Sequence, residues 1–291
     1  MMHLLEIAGF EFRFAARAPM RLPGYTGSAC RGGFGRALRR AACVTGWSVC
    51  PGCPLLADCA YPYIFETPAG PDAGILADYE RVPNPFVLAP AWHDAASLAA
   101  GDAVTMRLVL IGRAIEHSAL ARQAVIETAW HGIGPDRGPL DLVSAEPIAP
   151  PPAAACPDRV TIELLSPLRL VEKGRLVGPD ALRPRSLLLA LLRRVSLLAQ
   201  RHGPAPLDLD YRALKALAEA TEFEDTSVRW TEWRRFSGRQ QRLLPMGGLL
   251  GALSLPLRGL EPFWPLLSLA PWVHVGKGAT MGLGAVRIIA S

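Results

Sequence analysis

Near the end of the chain, Trp272-Val-His-Val-Gly-Lys-Gly-Ala-Thr-Met-Gly-Leu-Gly-Ala-Val-Arg-Ile-Ile289 sets four glycines, Gly276, Gly278, Gly282 and Gly284, between two short runs with strand character. A stretch this rich in residues without a Cβ cannot hold a helix or a sheet ladder. It has to be a loop whose backbone is free to adopt unusual conformations. Two uses fit it. It makes ordinary turns, or its backbone comes within hydrogen-bond distance of a phosphate while Lys277 supplies a charge.

The rest of the composition narrows what such a loop serves. With 291 residues, 50% of them apolar, the chain can bury one large core or, as we expect, two domains of ordinary size. The formal charge is +5, and among the 31 cations only Lys173, Lys215 and Lys277 are lysines. Guanidinium groups present forked donors matched to phosphate oxygens and stack on bases, so the excess fits nucleic-acid binding. A GC-rich coding sequence would raise Arg, Ala, Gly and Pro together, so the clustering of the arginines has to carry the argument. Glu6 falls in the first residues and no long apolar run follows it, so no signal peptide is expected. Charges and prolines interrupt the apolar stretches 186–200 and 247–272, so no membrane span is expected. The expected compartment is the cytoplasm of a prokaryote.

Periodicity organises the chain into two αβ halves. The proline-rich segment 149–157 reads as a linker between domains at 1–148 and 158–291. In the first half, residues 3–13 and 103–112 read as strands, 27–42 and 115–130 as helices, and a further strand lies around Leu140. In the second, 159–171 reads as a strand, 185–201 and 207–220 as helices, and 226–236 and 249–255 as strands. A short helix at 261–267 then leads into the glycine loop and a last strand at 285–289. Each half is compatible with a βαββαβ plan, which makes the expected class α+β with two tandem ferredoxin-like domains.

Three local constellations carry chemistry. Tyr25-Thr-Gly-Ser-Ala-Cys-Arg-Gly-Gly-Phe-Gly-Arg-Ala-Leu-Arg-Arg40 puts Arg36, Arg39 and Arg40 at i, i+3 and i+4, a basic helix face or simply a solvated one. Its glycines lower helix propensity but admit a phosphate or another backbone close to the helix. Cys43, Cys50, Cys53 and Cys59 form a C-x6-C-x2-C-x5-C set inside an insertion at 43–68. The Cys50-Pro-Gly-Cys53 turn presents two thiolates as a zinc knuckle does, and the outer pair can close a tetrahedron. A structural zinc is the first reading and an iron–sulfur cluster the alternative, with free or disulfide-linked thiols also open. The third constellation, residues 229–242, interleaves Arg229, Arg234, Arg235, Arg239 and Arg242 with Trp230, Trp233 and Phe236. That pattern suits stacking on a nucleic-acid strand or packing in a core.

Taken together, the 25–40 segment, the cysteine set running into Tyr61-Pro-Tyr-Ile-Phe-Glu-Thr-Pro68, Trp233-Arg-Arg-Phe-Ser-Gly-Arg-Gln240 and the terminal loop resemble a CRISPR repeat-processing endoribonuclease of the RAMP superfamily. The resemblance covers both halves of the chain. It implies binding of repeat RNA, metal-independent cleavage giving a 2′,3′-cyclic phosphate and a 5′-hydroxyl, and a mature guide RNA as product. It also implies subunits of a CRISPR effector complex as partners, with no membrane involved. Members of that family commonly carry a histidine on or near the first helix, whereas no histidine lies between His3 and His93 here. The catalytic candidates are therefore Tyr25, Arg36, Arg40 and His274, with the arginines stabilising charge and Tyr25 or His274 moving protons. The RNA-contact candidates are Arg31, Arg39, Arg235, Arg239, Gly276, Lys277, Gly278, Gly282 and Gly284. His93, His117, His131 and His202 have no motif around them and are read as structural. The competing readings are a noncatalytic guide-RNA-binding subunit of the same superfamily and, more distantly, a metal-cluster redox protein.

Overall fold

Two four-stranded antiparallel sheets organise the chain. The computed structural model describes residues 4–67, 82–91, 95–134, 136–152, 154–237 and 242–291, by backbone alone at 235–237 and 242–243. It separates into two compact units, one made of Met1–Ala149 with Ser196–Leu207, the other of Pro150–Val195 with Asp208–Ser291. The division at 149/150 falls at the start of the proline-rich segment. The assignment of 196–207 to the first unit departs from the sequence expectation of an uninterrupted second domain.

The first unit contains β1 (Ile7–Ala16), β2 (Met20–Leu22), α1 (Gly27–Ala42), β3 (Phe86–Pro90), β4 (Ala96–Leu98), β5 (Ala103–Ile111), α2 (Ser118–Trp130) and β6 (Leu140–Ile148). Its main sheet runs β3-β5-β1-β6. Counted in chain order the four strands stand 2-3-1-4, with one helix after the first and one after the third, which is the order of a βαββαβ unit. Alternation along β1 turns Phe12 and Phe14 to the buried face, where they join Leu108 and Leu110 of β5, Phe34 and Leu38 of α1 and Val125 of α2. The strand β3 was not legible in the sequence. Phe86-Val-Leu-Ala-Pro90 is short and ends on a proline, which reads as loop and is tolerated because the strand lies at the sheet edge.

The second unit contains β7 (Arg159–Leu168), β8 (Val171–Glu172), β9 (Arg175–Leu176), most of α3 (Pro184–His202), α4 (Tyr211–Ala220), β10 (Asp225–Thr231), β11 (Arg234–Ser237), β12 (Arg242–Pro245), β13 (Gly248–Pro256), α5 (Trp264–Val273) and β14 (Val286–Ala290). The sheet runs β10-β13-β7-β14, again 2-3-1-4 with antiparallel neighbours. Leu187 and Leu191 of α3 and Leu267 and Ala270 of α5 converge on Ile162 of β7 and Val286 of β14. The single strand expected at 226–236 is divided: β10 joins the main sheet, while β11 pairs with β12 in a separate two-stranded ribbon. The helix expected at 261–267 runs on as α5 to Val273 despite Pro271 inside it. No helix among the described residues is long and apolar enough to cross a membrane.

Candidate functional site

Helix α1 packs unusually close to its neighbours because of its glycines. A Cβ at Gly33 would strike Thr128 of α2, and one at Gly35 would strike the ring of Phe65. These two glycines thus serve side-chain packing and not the approach of a phosphate. Phe65 belongs to a short π-helical turn, Pro62–Glu66, and stacks with Tyr61 (centroids 5.7 Å apart, 19° between planes) and with Phe86 (6.0 Å, 17°). Two arginines of α1 lie over this aromatic column. The guanidinium of Arg31 sits 4.3 Å from the centroid of Phe65 and that of Arg39 5.6 Å from Tyr61, where its Nη2 also donates to the Trp47 carbonyl at 2.7 Å.

The arginines at i, i+3 and i+4 therefore do not form one stripe. Arg39 turns toward the cysteine segment and Arg36 is exposed. Arg40 turns toward α2, where its Nε and Nη2 reach Oε1 of Glu127 at 3.0 and 2.5 Å. The same carboxylate oxygen lies 3.4 Å from Nε2 of His131, so an exposed imidazole stands beside the cation at the end of α1. No sequence motif marks His131. Its i,i+4 spacing from Glu127 is visible in the sequence, but its approach to Arg40 depends on how α1 and α2 pack. Tyr25 is buried, and burial raises its phenol far above the ordinary tyrosine value, so it stays protonated and cannot serve as a base.

The cysteine segment follows α1. Cys43, Cys50, Cys53 and Cys59 are all half-buried and line one pocket of about 270 Å³, together with Arg39, Trp47, Tyr61 and His117. Thr45 Oγ1 lies 3.8 Å from Sγ of Cys43 and 3.7 Å from Sγ of Cys53. The hydroxyl of Thr45 and the amide of Gly46, with Arg39 nearby, hold the Cys43 thiol below its usual range. No group of three His, Cys, Asp or Glu side chains among the described residues forms a preassembled metal shell.

In the second unit the glycine loop is held by its own backbone. Val275 N–H donates to Gly284 O, Leu283 N–H to Gly278 O, Lys277 N–H to Arg169 O and Gly284 N–H to Pro167 O. Ser166 ties the far side, donating from Oγ to Gly282 O and accepting from Ala285 N–H. All four glycines have positive φ, between 66° and 88°. A Cβ on Gly284 would collide with the Val275 carbonyl, and one on Gly276 would press on that of Arg169 at 2.5 Å. Gly282 and Gly284 are buried, which removes them from any surface RNA can reach, whereas Gly276 and Gly278 are partly exposed and Lys277 stands exposed between them. Among the described residues, the amides of Gly276, Gly278 and Ala279 take no part in this backbone ladder.

His274, at φ 58°, is buried, with Nδ1 3.2 Å from the Leu283 carbonyl. It closes the base of the loop, and its burial argues against contact with a ribose. Just before it, the half-buried Arg194 donates from Nε to the Val273 carbonyl at 2.6 Å, capping the C-terminus of α5; desolvation lowers its pKa to about 10. Of the remaining candidates, Arg235 lies on β11, described by its backbone, and Arg239 lies outside the described residues. Trp230 is partly buried and donates from Nε1 to Glu232.

Comparison with known proteins gives these features a family. Residues 162–286 match the family model described as CRISPR-associated endoribonuclease Cas6, and residues 5–161 match an N-terminal domain model, AF_1859_N. No curated protein sequence matches the chain. Among solved structures, a Cas6 product complex aligns at TM-score 0.61 and 18% identity over 97% of this chain and 99% of that one. A partial Cas6-RT-Cas1–Cas2 complex aligns at TM-score 0.61 and 13% identity over 99% of this chain and 46% of that one. A Cas6-related protein from Pyrococcus furiosus aligns at TM-score 0.52 and 10% identity over 98% and 99%. At these identities the structures speak for the fold, and the family model carries the assignment: residues 162–286 belong to the CRISPR-associated endoribonuclease Cas6 family.

Proposed function

We propose that this protein binds the repeat of precursor CRISPR RNA and cleaves it without a metal ion in the chemistry, releasing a guide RNA that it hands to a CRISPR effector complex. The observation that carries the reading is the match of residues 162–286 to the Cas6 endoribonuclease family. Lys277, exposed between two partly exposed glycines, supports contact with an RNA phosphate.

In the proposed reaction the ribose 2′-oxygen attacks the adjacent phosphorus and the bond to the 5′-oxygen breaks. A 2′,3′-cyclic phosphate and a 5′-hydroxyl result; the 2′-hydroxyl proton passes to a base and the leaving oxygen takes one from an acid. Burial disfavours Tyr25 and His274 as proton carriers. We assign the base to His131, the exposed imidazole that Glu127 can orient, and the stabilisation of phosphorane charge to Arg36 and Arg40. Arg31, Arg39, Arg235 and Arg239 remain proposed RNA contacts. The absence of a histidine from α1 favours a second reading, a noncatalytic subunit that holds guide RNA.

Labelled repeat RNA incubated in chelator with wild type, His131→Ala and Arg36→Ala tests both. The enzyme reading expects a cyclic-phosphate product and a rate roughly 10²-fold to 10⁴-fold lower in His131→Ala with binding retained. An undiminished rate in His131→Ala would remove it from the chemistry. Tight binding with no product from wild type would establish the subunit reading.

A further inference from the structure

The four clustered thiols have no part in the proposed RNA chemistry, and their arrangement is that of a ligand set. Cys50 and Cys53 flank a tight turn in which Cys53 N–H donates to the Cys50 carbonyl at 2.9 Å, with Gly52 at φ 84°. Pro51 fixes the first central position of that turn and Gly52 supplies the left-handed second one. Cys43 ends α1, its amide bonded to the Arg39 carbonyl at 2.9 Å. Cys59 closes a helical turn on the Leu55 carbonyl at 3.0 Å. Three separately anchored pieces of backbone therefore deliver four sulfurs to one pocket of about 270 Å³. Thr45 Oγ1 lies within 3.8 Å of two of them, Cys43 and Cys53.

We propose that Cys43, Cys50, Cys53 and Cys59 bind one zinc ion as a closed tetrathiolate, a site that holds the 43–61 segment against the end of α1. In the present geometry the sulfurs surround the pocket without closing a shell. Binding requires side-chain rotations that draw them to about 2.3 Å from the metal and displace the Thr45 hydroxyl from between Cys43 and Cys53. Each cysteine that arrives as a thiol releases its proton, so binding lowers the pH of a weakly buffered solution. A zinc with four thiolates carries two negative charges. Arg39, the arginine lining this pocket, lies over Tyr61 and is placed to offset that charge. The ion would therefore fix Arg39 and, through Tyr61 and Phe65, the aromatic column under Arg31. With all four positions filled by protein there is no open coordination site, so this zinc is structural.

The experiment uses the full chain purified from zinc-supplemented cells. Metal content is measured by elemental mass spectrometry and thiol reactivity by alkylation with mass-spectrometric mapping. The expected result is one zinc per chain, the four clustered thiols protected, exposed Cys156 modified quickly, and protection lost on treatment with a strong chelator. Replacement by cobalt(II) should give the intense visible bands of a tetrahedral thiolate site. Cys53→Ser should lose the metal and Cys156→Ser should keep it. If Cys53→Ser does not fold, metal content and thiol protection of the wild type decide by themselves. Metal-free protein whose four thiols are alkylated as fast as Cys156 would overturn the proposal. Iron with acid-labile sulfide in place of zinc would overturn it equally, in favour of a cluster.

Discussion

Replacing Gly284 by alanine isolates what the terminal loop demands of its backbone. The residue has φ 66°, and an added Cβ would overlap the carbonyl oxygen of Val275, whose own amide donates to Gly284 at 3.0 Å. Left-handed backbone costs an alanine about 1–2 kcal/mol. Forcing atoms into a closed contact adds about 1–3 kcal/mol, while the stiffer unfolded chain returns about 0.4–1 kcal/mol. The net loss is about 1–5 kcal/mol, and each kcal/mol lowers the thermal midpoint by roughly 2–4 °C in a protein of this size. The control is Gly259, at φ 79° with nothing within 4 Å of an added methyl, where Gly259→Ala feels the backbone term alone. Thermal unfolding followed by circular dichroism should show Gly284→Ala well below Gly259→Ala, and Gly259→Ala within a few degrees of wild type. Equal midpoints for the two variants would refute the steric argument, because the backbone term alone would then account for both.

Two further outcomes follow from packing and charge. Phe34 is fully buried between Phe65 and Phe86, with ring centroids 6.3 and 5.1 Å away, so Phe34→Ala should cost about 3–5 kcal/mol, read as a lower denaturant midpoint at unchanged slope. Hydrogen bonds from the Arg21 side chain and backbone hold the Asp136 carboxyl down to about 2. Because the folded value lies below the unfolded one, this stabilisation is present above the ordinary aspartate range and fades as pH falls toward about 2. Asp136→Asn should flatten that acid limb slightly in melts across this window, and added salt should shrink the difference, since the pair is exposed.

The sequence carried the sheets better than the site. Alternation in 103–112 and 159–171 located β5 and β7 because each presents one apolar face to helices, and period alone reports that. It could not report β3, whose five residues end on a proline, or the full length of α5, since a proline within a helix reads as a stop. The loop glycines were visible but their use was not: φ and the nearness of the Val275 and Arg169 carbonyls belong to the folded backbone. The same holds for α1. Spacing put Arg36, Arg39 and Arg40 on one face, yet Tyr61 draws one aside and Glu127 another, and both partners are distant in sequence from the end of α1. His274 was prominent beside the glycines and is buried, whereas His131, without a motif, is exposed beside Arg40 and Glu127.

The residues 196–207 that belong to the first unit bear on how the chain comes off the ribosome. His202 is buried, its Nδ1 3.0 Å from the Tyr63 hydroxyl and its Nε2 2.8 Å from the Pro83 carbonyl, and its backbone lies so close to Gly112 that a methyl there would overlap it. The first sheet is complete in sequence at Ile148, but this socket stays open until His202 has been synthesised. A fragment cut at the proline-rich segment would thus expose Tyr63 and Gly112 to water. The first unit, which looks complete at the proline-rich segment, is finished only once synthesis has passed Leu207.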